Sequence, residues 1–315
     1  MKRLAVTMGD PAGVGPEVSL ILMDEARRRY PDHEFIIYGD CHMLERVAEV
    51  VSLPPVSTGS VNHIPSLENP SAIVPGQLSA DGGQASYDYL AQAIGDAMKG
   101  EIDAIVTAPI NKEALRLAGL KYPGHTEILT ELTGSKRSCM LQYSREVTAS
   151  FVTCHCGYAE VPSLLTRERL REVIDLTHEA LVKIRKSEPE LLVLGLNPHA
   201  GEHGLFGDSE EERIIAPEVE AARKRGLRIN GPVPPDTAFI PSMREKIDGY
   251  ICMYHDQGHI PLKALEFYTA VNVTLGLPII RTSVDHGTAY DIAWQGKASP
   301  GSIFCAAQLA VDMIS

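Results

Sequence analysis

Three histidines, His155, His199 and His255, each follow an apolar segment rich in β-forming residues. We expect each of them where a strand gives way to a loop, because strand ends in layered α/β proteins converge on the ligand cleft. Three imidazoles in one cleft would hold a divalent metal and leave coordination positions open for a substrate. The pattern therefore predicts metal-assisted chemistry, although a lone histidine of this kind is more often buried and hydrogen-bonded to a carbonyl.

The residues beside two of these histidines predict how the rings are held. If the strand that ends in Phe151-Val152-Thr153 continues, alternation places His155 on the face opposite Cys154 and Cys156. The thiols would then support the site from outside the ligand set or fill the core, and would not be ligands alongside His155. Asp256 directly follows His255 and is a candidate acceptor for its imidazole N–H.

A second group of polar residues favours an anionic substrate. His125 and Thr126 follow Gly124 at a predicted loop-to-helix junction, and helix N-termini favour anions. The alternative, a simple helix cap by Thr126, is compatible with that role. Gly124 is expected to supply an unusual backbone angle.

Lys263, Asn272 and Arg281 lie in or beside apolar, strand-like segments. Polar groups there cost free energy unless they are paired. An ordinary salt bridge would satisfy Lys263 or Arg281, but Asn272 between two valines is harder to explain in that way. Two cations and an amide suit a phosphate or carboxylate, which Arg281 could bind through two parallel hydrogen bonds.

Two glycine-containing segments bear on cofactor binding. Gly13 and Gly15 form a Gly-x-Gly pair without the third glycine of the dinucleotide fingerprint, so a Rossmann site is not indicated. The segment 285–293 reads as a loop entering a helix, where small residues would let a flat ring approach the backbone. Asp291 could accept a hydrogen bond from an amino or ribose hydroxyl group, although an ordinary capped loop is the simpler alternative.

Composition narrows the class of protein. The chain has 315 residues, of which 44% are hydrophobic and 6% aromatic, and its formal net charge is −12. Few aromatic side chains and no basic stripe argue against nucleic-acid binding, and no apolar run approaches the ~20 residues that span a bilayer. Six cysteines without CxxC spacing favour free thiols in the cytoplasm.

Predicted strands and helices alternate throughout, which favours an α/β protein built on a central sheet. Strands are predicted at 3–8, 34–38, 102–106, 146–153, 191–196, 249–254 and 270–273. Helices are predicted at 83–98, from Thr166 onward, after a Ser209/Glu212 capping box, and at 301–314. Residues 1–315 are expected to form one two-lobed unit, with one lobe from both chain ends and the other from the middle.

Taken together, the motifs resemble the 4-hydroxythreonine-4-phosphate dehydrogenase family of vitamin B6 biosynthesis. The matching segments are Gly-Asp-Pro-Ala-Gly-Val-Gly-Pro-Glu at 9–17, Gly-His-Thr-Glu at 124–127, Asn-Pro-His-Ala-Gly-Glu at 197–202, Tyr-His-Asp-Gln-Gly at 254–258 and the run at 271–289. The resemblance implies a homodimer with an isocitrate/isopropylmalate dehydrogenase-like fold, a central mixed sheet and a cleft between lobes, not a Rossmann fold.

The resemblance also assigns residues. It implies that His155, His199 and His255 bind the metal, with ligands from both subunits of a dimer whose active site lies at the interface. Substrate binding falls to His125, Thr126, Lys263, Asn272 and Arg281. The adenine-binding loop falls to His286, Gly287, Thr288, Ala289 and Asp291.

The implied activity is oxidation of a phosphorylated 3-hydroxy acid by NAD, or NADP, with a divalent metal (Zn, Mg, Mn or Co), followed by loss of CO2. The substrate indicated is 4-phosphohydroxy-L-threonine. Residues 156–158 and 259–263 depart from the biosynthetic enzymes, and the second stretch is more similar to paralogues acting on D-threonate or D-erythronate 4-phosphate. Lys263 and Asp236 are the candidate proton-transfer groups. A metal-dependent hydrolase and a non-catalytic sugar-phosphate binding protein are the rival functions.

Overall fold

A computed structural model describes residues 1–266 and 269–315 of the chain. They form two compact units. One comprises Met1–Lys136 together with Leu277–Ser315, and the other comprises Arg137–Gly276. Among the helices of these described residues, none is long and apolar enough to cross a membrane. All six cysteines are free thiols.

Strands and helices alternate along the described chain, as predicted. The strands are β1 (Lys2–Thr7), β2 (His33–Gly39), β3 (Val61–His63), β4 (Ala104–Thr107), β5 (Cys139–Tyr143), β6 (Thr148–Phe151), β7 (Leu191–Leu194), β8 (Ile229–Val233), β9 (Gly249–Cys252), β10 (Val271–Leu275) and β11 (Ile280–Val284). The α-helices are α1 (Gly15–Arg29), α2 (Cys41–Val51), α3 (Ala80–Met98), α4 (Lys112–Leu117), α5 (His125–Thr133), α6 (Val161–Leu164), α7 (Arg167–Arg185), α8 (Ala216–Lys224), α9 (Pro241–Arg244), α10 (His255–Leu265) and α11 (Gly301–Ile314).

The first unit holds a parallel sheet in the order β3-β2-β1-β4-β11. β4 and residues 4–7 of the central strand β1 are buried, as expected where helices cover both faces of a parallel sheet. Thr7 and Ser283 both pair with Thr107, so β1, β4 and β11 end at one edge. The loops that follow these three strands therefore leave from the same edge of the sheet.

The second unit has mixed strand directions. β10 and β5 are antiparallel, as are β5 and β6, whereas β6, β9, β7 and β8 run parallel in that order. Phe151 pairs with Cys252, and Ile251 of the same strand pairs with Val193. The segments that carry the three candidate metal-binding histidines consequently leave this sheet from one edge.

Most predicted elements are confirmed to within a few residues. Pro16 lies in the first turn of α1, and the Thr166 side chain accepts a hydrogen bond from the Arg169 N–H at the start of α7. The predicted capping box is wrong, because Ser209 has a left-handed backbone (φ 56°) and the helix begins as a wide turn at Glu211–Ile215 without a side-chain cap.

Two other element boundaries near the candidate metal site also differ from the prediction. β6 ends at Phe151, so strand alternation does not reach the Cys154–Cys156 segment. After β9 the chain enters α10 directly, so His255 begins a helix and not a loop, and Lys263 lies on that helix and not after a strand.

Gly258 of α10 fits against the end of β6 so closely that a side chain would collide. An added Cβ would lie 2.8 Å from both Cys252 Sγ and Phe151 Cε1. We expect Gly258→Ala to lower the free energy of unfolding by about 1–3 kcal/mol, the usual cost of overpacking a filled core. Urea unfolding of the purified protein measures the effect.

Gly95→Ala is the matched control. Gly95 also lies inside a helix, but an added Cβ would meet nothing within 4 Å. It should raise stability by about 0.5–1 kcal/mol, because alanine loses less backbone entropy than glycine on folding. Equal effects from the two substitutions would contradict the close packing of Gly258.

Candidate metal and anion sites

Cys154, His155 and His255 bring three potential metal donors together in the second unit. One ligand atom from each side chain lies within 4.8 Å of the others, and the two imidazole centroids are 5.7 Å apart. They border a cavity of about 460 Å³ formed largely by residues 154–158 and 254–256. A thiol and two imidazoles form a donor set suited to zinc and other first-row ions.

A tight turn places Cys154 beside His155, in contrast to the predicted separation onto opposite faces. The Thr153 N–H and hydroxyl both donate to the Met253 carbonyl, at 3.2 and 2.7 Å. The Cys156 N–H then donates to the Cys154 carbonyl at 3.0 Å. Because the backbone turns here and does not continue as a strand, neighbouring side chains can point to the same place. Burial raises the pKa of the Cys154 thiol to about 12.

The His255 ring is fixed from two directions. Its Nδ1 lies 2.7 Å from Asp256 Oδ1, the contact predicted for that pair, and the Tyr158 hydroxyl donates to Asp256 Oδ2 at 2.5 Å. The His259 ring stacks on His255 with centroids 3.8 Å apart, and Phe151 stacks on His259. An Nδ1–H held by a carboxylate leaves the Nε2 lone pair for a metal.

The hydrogen bonds to Asp256 also set its ionisation. Hydrogen bonds from Tyr158 and then His255 lower the pKa of the Asp256 carboxyl, so it is ionised at neutral pH. The same contact with Asp256 raises the pKa of the Tyr158 phenol.

His199 lies in a turn after β7, where the sequence predicts that the chain leaves the strand. Residues 199–203 all have positive φ, between 44° and 79°, a conformation that costs L-residues roughly 1–2 kcal/mol each. Hydrogen bonds from Asn197 to Glu211 hold the start of this turn. The His199 side chain is 64% exposed and its Nδ1 lies 3.3 Å from Glu202. In the described part of the chain, no group of three close donors includes it.

In the first unit, Arg281 is a buried cation. It is only 2% exposed and lies on β11, where its Nε and one terminal nitrogen donate to Thr107 Oγ1 at 3.1 and 2.7 Å. Burial lowers the pKa of the guanidinium to about 9, so it still carries its charge at neutral pH. A buried guanidinium is suited to an anion, which it can bind through parallel hydrogen bonds.

His125 at the start of α5 lies near two positive charges. Its pKa is far below the usual value because of burial, repulsion by Arg281 and repulsion by Lys112, while a hydrogen bond with the Ala108 backbone acts in the opposite direction. Its Nε2 is enclosed and has no hydrogen-bond partner in the structure. An anion bound beside this orphaned nitrogen would stabilise the protonated ring, whose Nε2–H could then donate to the anion.

The residues beside His125 differ in part from expectation. Gly124 has φ 171°, an extended backbone that other residues also adopt, so the predicted need for an unusual angle is wrong. Thr126 is exposed within the first turn of α5 and does not cap it.

The low pKa of His125 should make stability depend on pH. In the unfolded chain, His125 binds a proton near its ordinary pKa of 6.5. In the folded chain it binds one only at a lower pH. The free energy of unfolding is therefore constant with respect to this group above about pH 6.5 and falls as the pH is lowered, by at most about 1.4 kcal/mol per pH unit. Urea unfolding about one pH unit on either side measures this drop, which His125→Gln should reduce. His42→Gln, at an exposed histidine of the same unit, should leave it unchanged.

The other candidate substrate residues are placed as follows. Asn272 lies within β10, opposite Gln142, as predicted for a strand position. Lys263 is on α10 eight residues after His255, so the two lie on the same helix face about 12 Å apart along the axis. Asp236 is exposed in the turn after β8.

The candidate cofactor loop, from His286 to Asp291, links β11 to a single 3-10 turn at Tyr290–Ile292, and α11 begins only at Gly301. The Thr288 carbonyl accepts from the Val14 N–H at 3.0 Å, and a Cβ on Gly13 would lie 2.9 Å from that carbonyl. The Tyr290 hydroxyl donates to Asp10 at 2.6 Å.

These contacts attach the cofactor loop to the glycine loop after β1. The His286 Nε2 is enclosed and has no partner among the described residues, while Gly287 and the Asp291 side chain are exposed. An orphaned donor or acceptor beside small, accessible residues fits a polar cofactor.

Sequence reasoning missed four residues that shape these sites: Cys154, Tyr158, Thr107 and Lys112. A strand that continues past Phe151 predicts Cys154 in the core or in support of the ligands, and not as a ligand. Tyr158 and Thr107 act through contacts between distant segments, which no local pattern reveals. Lys112 could have been predicted as a site residue, because it follows the buried strand β4 and the short turn after it.

Comparisons with known proteins agree with the sequence motifs. Residues 32–310 match the family model described as pyridoxal phosphate biosynthetic protein PdxA. A D-threonate 4-phosphate dehydrogenase of Pectobacterium atrosepticum is 42% identical, with 99% of each chain covered. A 4-hydroxythreonine-4-phosphate dehydrogenase of Geobacter metallireducens is 44% identical, covering 99% of this chain and 95% of the relative.

Solved structures extend the comparison to the fold. A 4-hydroxythreonine-4-phosphate dehydrogenase from Klebsiella pneumoniae is 40% identical and superposes with a TM-score of 0.87 over 100% of both chains. A β-decarboxylating dehydrogenase from Thermococcus kodakarensis shares 17% identity and a TM-score of 0.53 over 99% of this chain and 84% of that one, which shows a common fold. The predicted α/β class, of the decarboxylating dehydrogenase type, is confirmed.

The relatives named here are dehydrogenases, which supports an oxidoreductase. The family model spans most of the chain, and the relatives above 40% identity cover nearly all of it. The chain therefore belongs to the PdxA family.

Proposed function

We propose that this protein oxidises the C3 hydroxyl of a four-carbon, 4-phosphorylated acid with NAD and a divalent cation, and that the resulting β-keto acid loses CO2. The observation that carries this proposal is the convergence of imidazole donors from His155 and His255 in a chain whose named relatives are dehydrogenases. 4-Phosphohydroxy-L-threonine would give 3-amino-2-oxopropyl phosphate. D-threonate or D-erythronate 4-phosphate would give dihydroxyacetone phosphate.

A divalent cation and a nicotinamide cofactor would supply part of the chemistry. A divalent cation lowers the pKa of an alcohol bound to it and offsets negative charge that develops as CO2 leaves. NAD would supply the hydride acceptor for oxidation at C3. His155 and His255, with His199 as the third ligand implied by the family pattern, would hold the cation, and His286, Gly287, Thr288, Ala289 and Asp291 would hold the cofactor.

The chain's own residues would bind the substrate and move protons. Arg281, His125 and Thr126 would neutralise and orient the phosphate or carboxylate, and Asn272 would add an amide hydrogen bond. Lys263 is favoured over Asp236 as the proton-transfer residue, because it shares a helix face with His255.

Two substrates are considered, because the relatives include enzymes named for each of them. A D-threonate 4-phosphate enzyme and a 4-hydroxythreonine-4-phosphate enzyme match this chain at 42% and 44% identity. The two substrates differ mainly at C2, where one has an amino group and the other a hydroxyl. We favour 4-phosphohydroxy-L-threonine, with D-threonate or D-erythronate 4-phosphate as the alternative.

The test is a panel of the three phosphorylated acids with NAD and with NADP, each in the presence of Zn²⁺, Mg²⁺, Mn²⁺ or Co²⁺. NADH absorbance reports oxidation, and released CO2 reports decarboxylation. Chelation should abolish both signals, and added cation should restore them. Substrate consumption without reduced cofactor would favour a hydrolase, and binding without turnover would favour a sugar-phosphate binding protein.

We further propose a cytoplasmic homodimer. Free cysteines suit a reducing compartment, and Leu205, Ile260 and Tyr158 are each at least 65% exposed in the unit that carries the histidines. Ile260→Glu should shift the mass measured by light scattering from dimer towards monomer, because a buried charge at an interface core is costly. Leu117→Glu, at another exposed apolar residue, should leave the mass unchanged. A wild-type protein that is monomeric at assay concentration would contradict the dimer.

A further inference from the structure

We propose that Cys154 is a thiolate ligand of the metal centre, together with His155 and His255. The inference rests on the cation required by the proposed function and specifies which atoms of this chain bind it. The Cys154 sulfur lies within 4.8 Å of a donor nitrogen on each histidine. All three residues come from the second unit and border one cavity.

The spacing of the three donors suits a tetrahedral site. Bond lengths near 2.3 Å for sulfur and 2.0–2.1 Å for nitrogen place tetrahedral donors about 3.3–3.6 Å apart. The separation in the structure is at most 4.8 Å, so side-chain rotations that draw the donors inward by about 1 Å would complete the geometry. Imidazole centroids 5.7 Å apart leave room for an ion between the rings.

Two of the donors, Cys154 and His255, are held by contacts that do not depend on a metal. The Thr153 hydroxyl and N–H anchor the turn before Cys154 to the Met253 carbonyl, two residues before His255. Asp256 holds His255 Nδ1, and the stack of His259 on His255 fixes the ring plane. Such outer contacts orient metal ligands and limit the entropy lost on binding.

A sulfur donor changes which cations the centre selects. Thiolate favours Zn²⁺ and Co²⁺ over Mg²⁺ and Mn²⁺, whereas a site of imidazoles and substrate oxygens is less selective. Cys154 would add a sulfur donor to the imidazoles of His155, His255 and His199, and the substrate would then bind as a fifth ligand, a coordination number that catalytic zinc sites can reach. The structure thus favours a centre of mixed sulfur and nitrogen donors.

Anaerobic titration of the full-length apo protein with Co²⁺ tests the assignment. Wild type should develop the near-ultraviolet sulfur-to-cobalt charge-transfer band that a bound thiolate produces. Cys154→Ser should lose the band and bind Co²⁺ at least ~10–100-fold more weakly, the range found even for outer-shell changes. Cys156→Ser is the matched control, because that thiol lies on the same turn and should be dispensable for both readouts.

The outcomes separate this inference from the proposed function. Co²⁺ binding to wild type without the band would overturn a sulfur ligand and leave a histidine centre standing. A band that survives in Cys154→Ser also overturns the assignment. If Cys154→Ser fails to fold, a band that persists in Cys156→Ser still supports Cys154, and a band lost in Cys156→Ser overturns it. A protein that binds no Co²⁺ refutes both the ligand and the metal centre, whereas the band without NADH formation supports the ligand and refutes the dehydrogenase.

Discussion

Replacing Arg281 by glutamine is expected to lower kcat/KM for the phosphorylated substrate by about 30–5,000-fold, because loss of one partner from a buried charge pair costs about 2–5 kcal/mol. Arg281 is 2% exposed and is held by the Thr107 hydroxyl, so the guanidinium is preorganised. Initial rates of NADH formation over a range of substrate concentrations measure the loss.

Activity on the unphosphorylated acid and the variant Arg281→Lys would show which anionic group of the substrate Arg281 binds, and how. With the unphosphorylated acid, the variant and wild type should have similar low rates if Arg281 binds the phosphate. A parallel loss on both substrates would assign Arg281 to the carboxylate. Arg281→Lys should recover only part of the activity, because an ammonium cannot form the two parallel hydrogen bonds of a guanidinium. A loss below tenfold in a protein of unchanged melting temperature would contradict an anion-binding role.

Replacing His255 by alanine should abolish most activity and reduce metal content. The variant removes a donor that Asp256 orients and His259 supports. A metal ion stabilises the transition state by several kcal/mol, and each 1.36 kcal/mol changes the rate tenfold. We therefore expect kcat/KM to fall by at least ~10³-fold. Metal content by elemental analysis and NADH formation should fall together.

His203→Ala is the control, since that residue is an exposed histidine on the turn that carries His199. It should retain both metal and activity. His199→Ala then tests the third ligand implied by the family pattern, which should also cause loss of metal if His199 from either copy of the chain binds it. Full metal content and activity in His255→Ala would refute the centre.

The fold was largely predictable from local patterns. The buried strand β7 and the amphipathic helix α7 follow from runs and periods within the sequence, and the Thr166 cap follows from its residue type. Errors arose at element ends. β6 stops at Phe151 although the Val152 and Thr153 N–H groups still donate to the Cys252 and Met253 carbonyls, because the chain then turns and the Cys156 N–H donates to the Cys154 carbonyl. α10 starts at His255, with two residues between it and the end of β9.

The residue motifs were enough to predict the family, the α/β class and the candidate residues, because glycine, proline and histidine motifs reflect short-range backbone and chemical requirements. Tertiary structure decided which of those residues meet. It placed the Cys154 thiol with His155 and His255, and left His199 outside that group on its exposed turn. It also set Arg281 and Lys112 near His125. Such meetings depend on the register and order of strands far apart in the chain, which residue types alone do not specify.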